Sequence, residues 1–545
     1  MANNPDVKKY LDKEGLKHFA KILANYPDNT ILAAVIDAIS TIITETSDSD
    51  RQYTDSTILN NYGNFGEIFI GDLEDIELPE GCKVIIDAED DEIEWLMNEI
   101  RTYIDDTLYP KHTLTIDVNK SDSNSITEDI YISIFNVDTD ELYAKIKYEN
   151  KLINIEIPAN FNYNIMIDDI PGYFISSKSG TLTKDTKLSF IYQIHNIYGV
   201  SWDKTATTKL SRNGTSVLFE DPIPYVAGAT EYSSPFDNLY PWCDMKIVED
   251  ENAGTLVSIP KYWFKWTNID NELKLEIANY EAEGFALSPA HRDRGDGKGE
   301  RDVVYIGRYH CSDNNLKSET GVKPKTTNTP DTFRTNIHNL GDTIYQNDFA
   351  MFWTIRMLYL VEYADWDSQK VIGYGCGNNS SSEIMGYTDS MPYHTGTTQS
   401  SRTSYGGTQY RYIEGLWDNV LDYCDGIYFS GEYIYSIMNP NNFNNTTGGV
   451  LVGTRITGEG NIKSWYISSV DGFDWFLFPA SIGDSSSTYT TYITDMCCTY
   501  TNSNVLYTGS AYNHALSNGM FYFLNMGGES SFIENFTGSR LMVLP

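Results

Sequence analysis

Positive charge is what this sequence has least of: 39 Lys and Arg stand against 76 Asp and Glu, a formal net charge of -37. A chain so short of cations cannot neutralise a phosphate backbone, which excludes a nucleic-acid binder, and it offers no polybasic patch to an anionic membrane. No apolar run reaches the ~20 residues needed to span a bilayer. The opening MANNPDVKKYLDKEG lacks the apolar stretch of a signal peptide. A soluble protein made in a host cytosol is expected, without membrane insertion. Cysteine is also sparse, at seven residues. Cys243, Cys311, Cys376 and Cys424 follow no metal-ligand spacing, and the adjacent Cys497 and Cys498 form a poor chelate. Reduced, mostly buried thiols are expected. His291, His310, His338, His394 and His514 show no His-x-x-x-His or His-x-x-Glu pattern, so no metal and no cofactor is expected.

Tyrosine and glycine are abundant, 40 of each, a bias that favours β structure and recognition surfaces over a helical enzyme. With 545 residues the chain exceeds what one core supports, and about two to four domains are expected. The reading is a multidomain α+β protein in three parts. Residues 1–110 form a helical docking and oligomerisation region, with one amphipathic helix over Val7 to Leu23 and a second seam of Ile31, Val35, Ile39 and Ile42. Isoleucine-rich seams suit three-stranded packing, so a homotrimer is expected. Residues 111–194 carry six or seven short alternating segments, among them Leu114 to Val118, Ile130 to Ile134 and Tyr163 to Ile167. These read as an immunoglobulin- or transthyretin-like β-sandwich spacer.

Residues 195–545 form the large domain. Its most regular stretch is Tyr410 to Ile427, where Ile413, Leu416, Trp417, Val420 and Leu421 fall at helical spacing between Glu414, Asp418, Asn419 and Asp422. That spacing predicts an amphipathic core helix stopped by Gly426. A second helix is predicted over Arg356 to Tyr363. Glu362 and Glu414 lie in apolar stretches and are expected to be buried and bonded to backbone, not catalytic. Asp293, Asp296 and Asp302 alternate with Gly295, Gly297 and Gly299, but Arg292, Arg294, Lys298 and Arg301 crowd the same segment. The Asp-x-Asp-x-Asp-Gly register of a calcium loop is not met, so a flexible charged loop is expected over Arg292 to Asp302.

The ordered segments GVSWDK, YSSPFDNLYPW, VSIPKYWFKW, GFALSPAH, VVYIGRY, YLVEYADWDSQKVIGYG, YRYIEGLWDNVLDYCDGI and SFIENFTGSRLMV carry a resemblance to a known family. Together they resemble the C-type-lectin-like domain of phage tail and fibre proteins, a fold shared with formylglycine-generating enzymes and with variable receptor-binding proteins. The segment KYLDKEGLKHFAKIL is similar to the N-terminal helix of fibre and appendage proteins from phages of gut bacteria. The resemblance implies framework residues at Trp242, Glu414, Trp417, Asn419, Gly426, Gly538 and Arg540. It further implies a ligand face in the last third of the domain, carried over to Trp465, Tyr466, Tyr489, Tyr492, Tyr500, Tyr507, Tyr512, Asn513 and His514. Tyr in Ser/Thr/Asn-rich loops are read as exposed, whereas Phe473, Trp475, Phe521 and Phe523 alternate as strand residues and are read as core. Vicinal Cys497 and Cys498 depart from the copper or redox cysteines of the oxidase branch. No catalytic set stands out, although carboxylates ~5–9 Å apart could serve a glycosidase. The implied function is therefore an exterior virion appendage, tail or head fibre, that contacts other virion proteins and binds a bacterial surface glycan or protein. A purely structural adaptor is the alternative, and a glycan depolymerase a weaker one.

Overall fold

Alternating apolar residues give strands wherever one face has a core to cover, and that rule organises the first unit. The structure is a computed structural model that describes residues 110–545 apart from 205–207, 271, 377–378, 402–405, 484–492, 514–517 and 526–532. The helices and isoleucine seam expected over residues 1–110 lie outside the described residues, save for Pro110. The chain divides into two compact, β-rich units, the described part of the first running over 110–170 and 175–192. In it, Lys111–Lys120 pairs antiparallel with Ile153–Pro158 and parallel with Thr186–Ile194. A second sheet runs in the order Glu141–Lys147, Tyr131–Asn136, Phe161–Ile167, Lys178–Leu182. Each sheet buries one face: Leu114, Ile116 and Val118 on the first, Ile132, Ile134, Tyr163 and Ile165 on the second. This is the period-2 pattern read directly from the sequence.

The second unit covers 171–174 and 193–545. Among its described residues are helices α1 (Pro330–His338) and α2 (Phe349–Tyr363). All fifteen residues of α2 are buried, as suits a helix whose only charged residues are Arg356 and Glu362. Asp348 caps it, accepting from the Met351 amide at 2.8 Å. Ala364 ends it in the left-handed region at φ 50°. Trp242 Nε1 donates to the Leu358 carbonyl at 3.2 Å, and the Tyr262 hydroxyl to that of Thr354 at 2.6 Å. Trp353 packs edge-on against Trp266 and Trp465.

Sheets enclose this helix. One five-stranded sheet runs Ser211–Gly214, Ile197–Asp203, Glu272–Ala278, Trp263–Ile269, Ala286–Leu287. Another places the C-terminal strand Leu541–Val543 between Val303–Gly307 and Ile344–Gln346. A seven-stranded sheet orders Leu477–Ile482, Gly458–Ile467, Met496–Thr499, Phe523–Asn525, Leu506–Thr508, Leu421–Cys424 and Thr537–Gly538.

The structure corrects the helix expected over Tyr410 to Ile427. Thr408–Tyr410 and Ile413–Glu414 pair as a hairpin through Arg411 and Tyr412, at φ 44° and 69°. Positive φ at both turn residues matches the twist of a hairpin and cannot continue a helix. Leu421–Cys424 and Ile427–Ser430 are strands, separated by Gly426 at φ 69°. Every residue from Ile413 to Phe429 is buried, so the polar positions that mimicked a solvated helix face bond to neighbouring segments instead. The central helix is α2, which includes the shorter Arg356 to Tyr363 prediction.

Leu358 is fully buried in α2. Leu358→Ala is expected to lower stability by ~2–5 kcal/mol, the range for a large-to-small change in a packed core. Urea unfolding followed by tryptophan fluorescence measures it, and a loss below ~1 kcal/mol would mean that α2 is not the packing centre.

Candidate functional site

The residues from Glu414 to Arg540 singled out as framework do converge, and backbone groups are what they hold. The Arg540 guanidinium is fully buried. Its Nη1 donates to the carbonyls of Gly307 and Arg308 at 2.8 and 2.9 Å, and its Nη2 to those of Glu414 and Gly415 at 2.7 and 3.2 Å. Nε reaches Asp422 at 3.5 Å. A planar fork of five donors is thus divided among three strands, Val303–Gly307, Ile413–Glu414 and Leu421–Cys424, and the residues that follow the first two, a task a lysine could not perform. His310 lies 3.6 Å from Asp422 and beside the Arg540 fork. Burial and the neighbouring guanidinium hold this histidine neutral, well below its usual range.

Glu414 accepts from the Gly386 and Thr388 amides at 2.8 and 2.9 Å and from the Thr388 hydroxyl at 2.7 Å. Asp418 accepts from the Thr408 amide and hydroxyl, both at 2.8 Å, and from the Tyr387 hydroxyl. Asn419, in the left-handed region at φ 66°, exchanges two bonds with the Glu383 backbone. Trp417 donates to the Gly373 carbonyl at 2.9 Å. A Cβ on Gly538 would come within 2.7 Å of Val420. Glu414 behaves as expected, buried and bonded to backbone. Glu362 is buried too, but its partners are side chains: Arg411, Tyr410 and Ser234. That pairing was missed because Arg411 stood inside the supposed helix.

The expected ligand face separates. Tyr489, Tyr492 and His514 lie outside the described residues. Tyr500 and Asn513 are exposed. Trp465, Tyr507 and Tyr512 are not: they retain 2%, 1% and 4% of their surface. Trp465 stacks on Trp366 at 5.3 Å inside the core, and Tyr507 packs on Tyr423 at 4.7 Å. The Tyr512 backbone is tied to Asn419 and Asn379. Tyr466 is half-buried between Phe476 and Phe478. A strand residue facing a packed sheet buries its ring whatever its neighbours in sequence, so Ser/Thr/Asn-rich context misled here. Phe473, Trp475, Phe521 and Phe523 are in the core as expected, although only Phe523 lies in a strand.

The segment Arg292 to Asp302 is a loop exposed over most of its length but pinned at two points. Arg294 and Arg301 are buried. Arg294 pairs with the α2 cap Asp348, and Arg301 pairs with Asp296. Asp302 pairs with Lys261. Cations thus bind two of the acids that calcium would need, Arg301 on Asp296 and Lys261 on Asp302. Among the described residues no group of three or more His, Cys, Asp or Glu is placed to hold a metal ion. Cys497 and Cys498 are buried neighbours in one strand, and burial pushes the Cys498 thiol up to about 11. Adjacent strand residues point to opposite faces, which separates the two sulfurs chemically.

Among the described residues there is also a cavity of about 260 Å³, lined by Cys376, Asn379, Glu383, Ile384, Tyr387, Gly406 and Gly407. Its walls are the segments that Glu414, Asp418 and Asn419 hold. The sequence held one clue to it: a run of polar residues inside a stretch too apolar to face water.

No protein-family model and no curated protein matches the chain. Among solved structures, a streptococcal ancillary pilin aligns with 36% of this chain and 52% of its own length, at 9% identity and a TM-score of 0.14. A likeness that slight carries no argument about fold or function.

Arg540→Met is expected to lower stability by ~3–5 kcal/mol, because it removes a donor from each of four buried carbonyls and leaves the buried Asp422 without its cation. Arg540→Lys should recover only a minor part of that loss. Denaturation midpoints of the three proteins provide the check, and equal stability of the lysine variant would refute the role of the fork.

Proposed function

We propose that the chain is a structural virion appendage protein, of a tail or head fibre, whose region 195–545 has a C-type-lectin-like fold and binds a bacterial surface glycan or protein. Residues 1–110 dock it to other virion proteins and form a homotrimer, and 111–194 act as an immunoglobulin- or transthyretin-like spacer. One observation carries the reading. All seven positions that the resemblance implies as framework, Trp242, Glu414, Trp417, Asn419, Gly426, Gly538 and Arg540, are buried, and six of them hold or permit close approach of backbone from distant segments. A scaffold that fixes loops through their backbone leaves the loops' own side chains at liberty to recognise a ligand.

Recognition is assigned to the loops of the C-terminal third, on Tyr500 and Asn513 together with the sequence candidates Tyr489, Tyr492 and His514. Trp465, Tyr507 and Tyr512 are withdrawn from it. Tyrosine and asparagine give contact area and hydrogen bonding at low ordering cost.

The labelled full-length chain should bind cells of a susceptible strain within a panel of gut bacteria. Tyr500→Ala combined with Asn513→Ala should weaken that binding by ~1–3 kcal/mol, about 5- to 150-fold in Kd, with the fold unchanged by circular dichroism. Binding to virion proteins alone, with no strain recognised, would replace this reading by the adaptor. Light scattering tests the trimer separately.

A further inference from the structure

A ring becomes a platform for a ligand when its neighbours leave it one orientation, and Tyr387 is held in that way. Its hydroxyl donates to the buried Asp418 carboxylate, and its ring lies on the backbone of Gly407, where a Cβ would come within 1.9 Å of it. The ring lines the cavity of about 260 Å³ together with Gly406, Gly407 and Ile384, whose side chain is exposed. Asn379 and Glu383 line it too. Their backbones are fixed from outside the cavity: the Asn379 amide donates to the Tyr512 carbonyl at 2.6 Å, and the Glu383 amide to Asn419 Oδ1 at 2.8 Å. Asn379 Nδ2 donates to Glu383 Oε1 at 3.1 Å, which leaves Asn379 Oδ1 and Glu383 Oε2 bonded to no protein group among the described residues. The walls are thus built before a ligand arrives, and binding has little ordering to do.

This lining disfavours charged ligands. No Lys or Arg is among the described residues of the wall, so an anion finds no partner there. The one carboxylate, Glu383, is exposed and already bonded to Asn379, and an exposed charge holds a cation weakly. A single ring is also less than the aromatic cage that a quaternary ammonium uses. A neutral sugar fits better. A pyranose turns the C–H groups of one face to an aromatic ring and offers hydroxyl donors at its edge, and Asn379 Oδ1 and Glu383 Oε2 are acceptors for them. The space of about 260 Å³ lies below the ~300 Å³ at which pockets for drug-sized ligands begin, which limits the occupant to one sugar ring.

Resting on the host-recognition reading above, we propose that this cavity binds one neutral pyranose residue of a bacterial surface glycan, stacked on Tyr387 and hydrogen-bonded by Asn379 and Glu383. The cavity adjoins the loop already assigned to recognition, because the Tyr512 carbonyl that holds Asn379 belongs to the residue before the exposed Asn513. Gly407 is then a specificity device as well as a turn residue: any side chain there would lift the Tyr387 ring off its seat.

The full-length protein on an array of neutral, sialylated and phosphorylated oligosaccharides tests the pocket, with the methyl glycosides of glucose, galactose and mannose as soluble competitors. Neutral oligosaccharides should be bound, and at least one of the methyl glycosides should displace them. Tyr387→Ala should abolish that binding. Asn379→Ala combined with Glu383→Ala leaves both backbone bonds in place, and it should weaken binding by about tenfold or more with circular dichroism unchanged. This double variant decides where Tyr387→Ala fails to fold. Binding confined to charged glycans would overturn the proposal, as would an array with nothing bound or a folded double variant that binds neutral glycans as before. Cell binding that needs Tyr500 and Asn513 but survives the double variant would overturn the pocket and leave the recognition reading standing, whereas a wild-type chain that binds no cells and no glycan would overturn both.

Discussion

A helix whose every side chain is buried has no polar face to give to water, so the charges it contains must be answered by the strands and loops around it. In α2 those charges are Arg356 and Glu362. Glu362 meets Arg411 in an ion pair whose two side chains are 0% and 2% exposed, and the Tyr410 and Ser234 hydroxyls occupy its remaining acceptor sites. Arg356 gives Nε and Nη2 to the Met520 carbonyl and lies against the rings of Phe352, Trp353, Phe521 and Phe523. Its cap Asp348 is met by Arg294. Each answer comes from a different stretch of chain: 234, 294, 410–411, 520. The helix thus fixes the register of segments that share no local sequence logic, because leaving any of these charges unpaired costs several kcal/mol.

How far this could be read in advance depends on where polar residues go. In the first unit, Leu114 to Val118 and Ile130 to Ile134 alternate because one side faces a core and the other does not, and the strands were legible at once. In the second unit the same inference failed for Tyr410 to Ile427. Its Glu, Asp and Asn residues sit at the spacing of a solvated helix face, yet they are buried and hold the amides of Gly386, Thr388, Thr408 and Gly426. Periodicity assumes that polar means wet. Where a framework of carboxylates replaces water as the partner of backbone, that assumption breaks, and α2 shows the converse: a helix buried all round has almost no moment to detect.

The same confusion governs the aromatic residues. The resemblance, and the Tyr among Ser, Thr and Asn, placed a recognition surface in the C-terminal third, and Trp465, Tyr507 and Tyr512 turned out to be interior. Uncharged, ring-rich sequence is also what a core demands. The distinction lies in strand pairing, which sequence alone does not display. Tyr507 belongs to the strand Leu506–Thr508, flanked on both sides within the seven-stranded sheet, whereas Tyr500 follows the end of Met496–Thr499 and emerges. Framework positions, carried over from the resemblance, fell on buried residues more often than ligand positions did, because exposure is decided by what packs alongside.

The position of Arg540 shows how a unit with so much irregular backbone stays ordered. It lies between the short strand Thr537–Gly538, paired with Leu421–Cys424, and the strand Leu541–Val543, inserted between Val303–Gly307 and Ile344–Gln346. Its guanidinium therefore ties together segments up to 233 residues apart. Contacts this distant in sequence form late, because the intervening loops must close before they can reward closure. Once formed, they turn each intervening loop into a chain held at both ends by the framework. Lengthening or rewriting such a loop adds little closure entropy, which grows only with the logarithm of its length. A change at the knot has the opposite character: a side chain at Gly538 collides with Val420, and loss of the guanidinium releases four carbonyls at once. Tolerance in the loops and intolerance at the framework follow from the same geometry, and that geometry suits a scaffold whose loops are free to change.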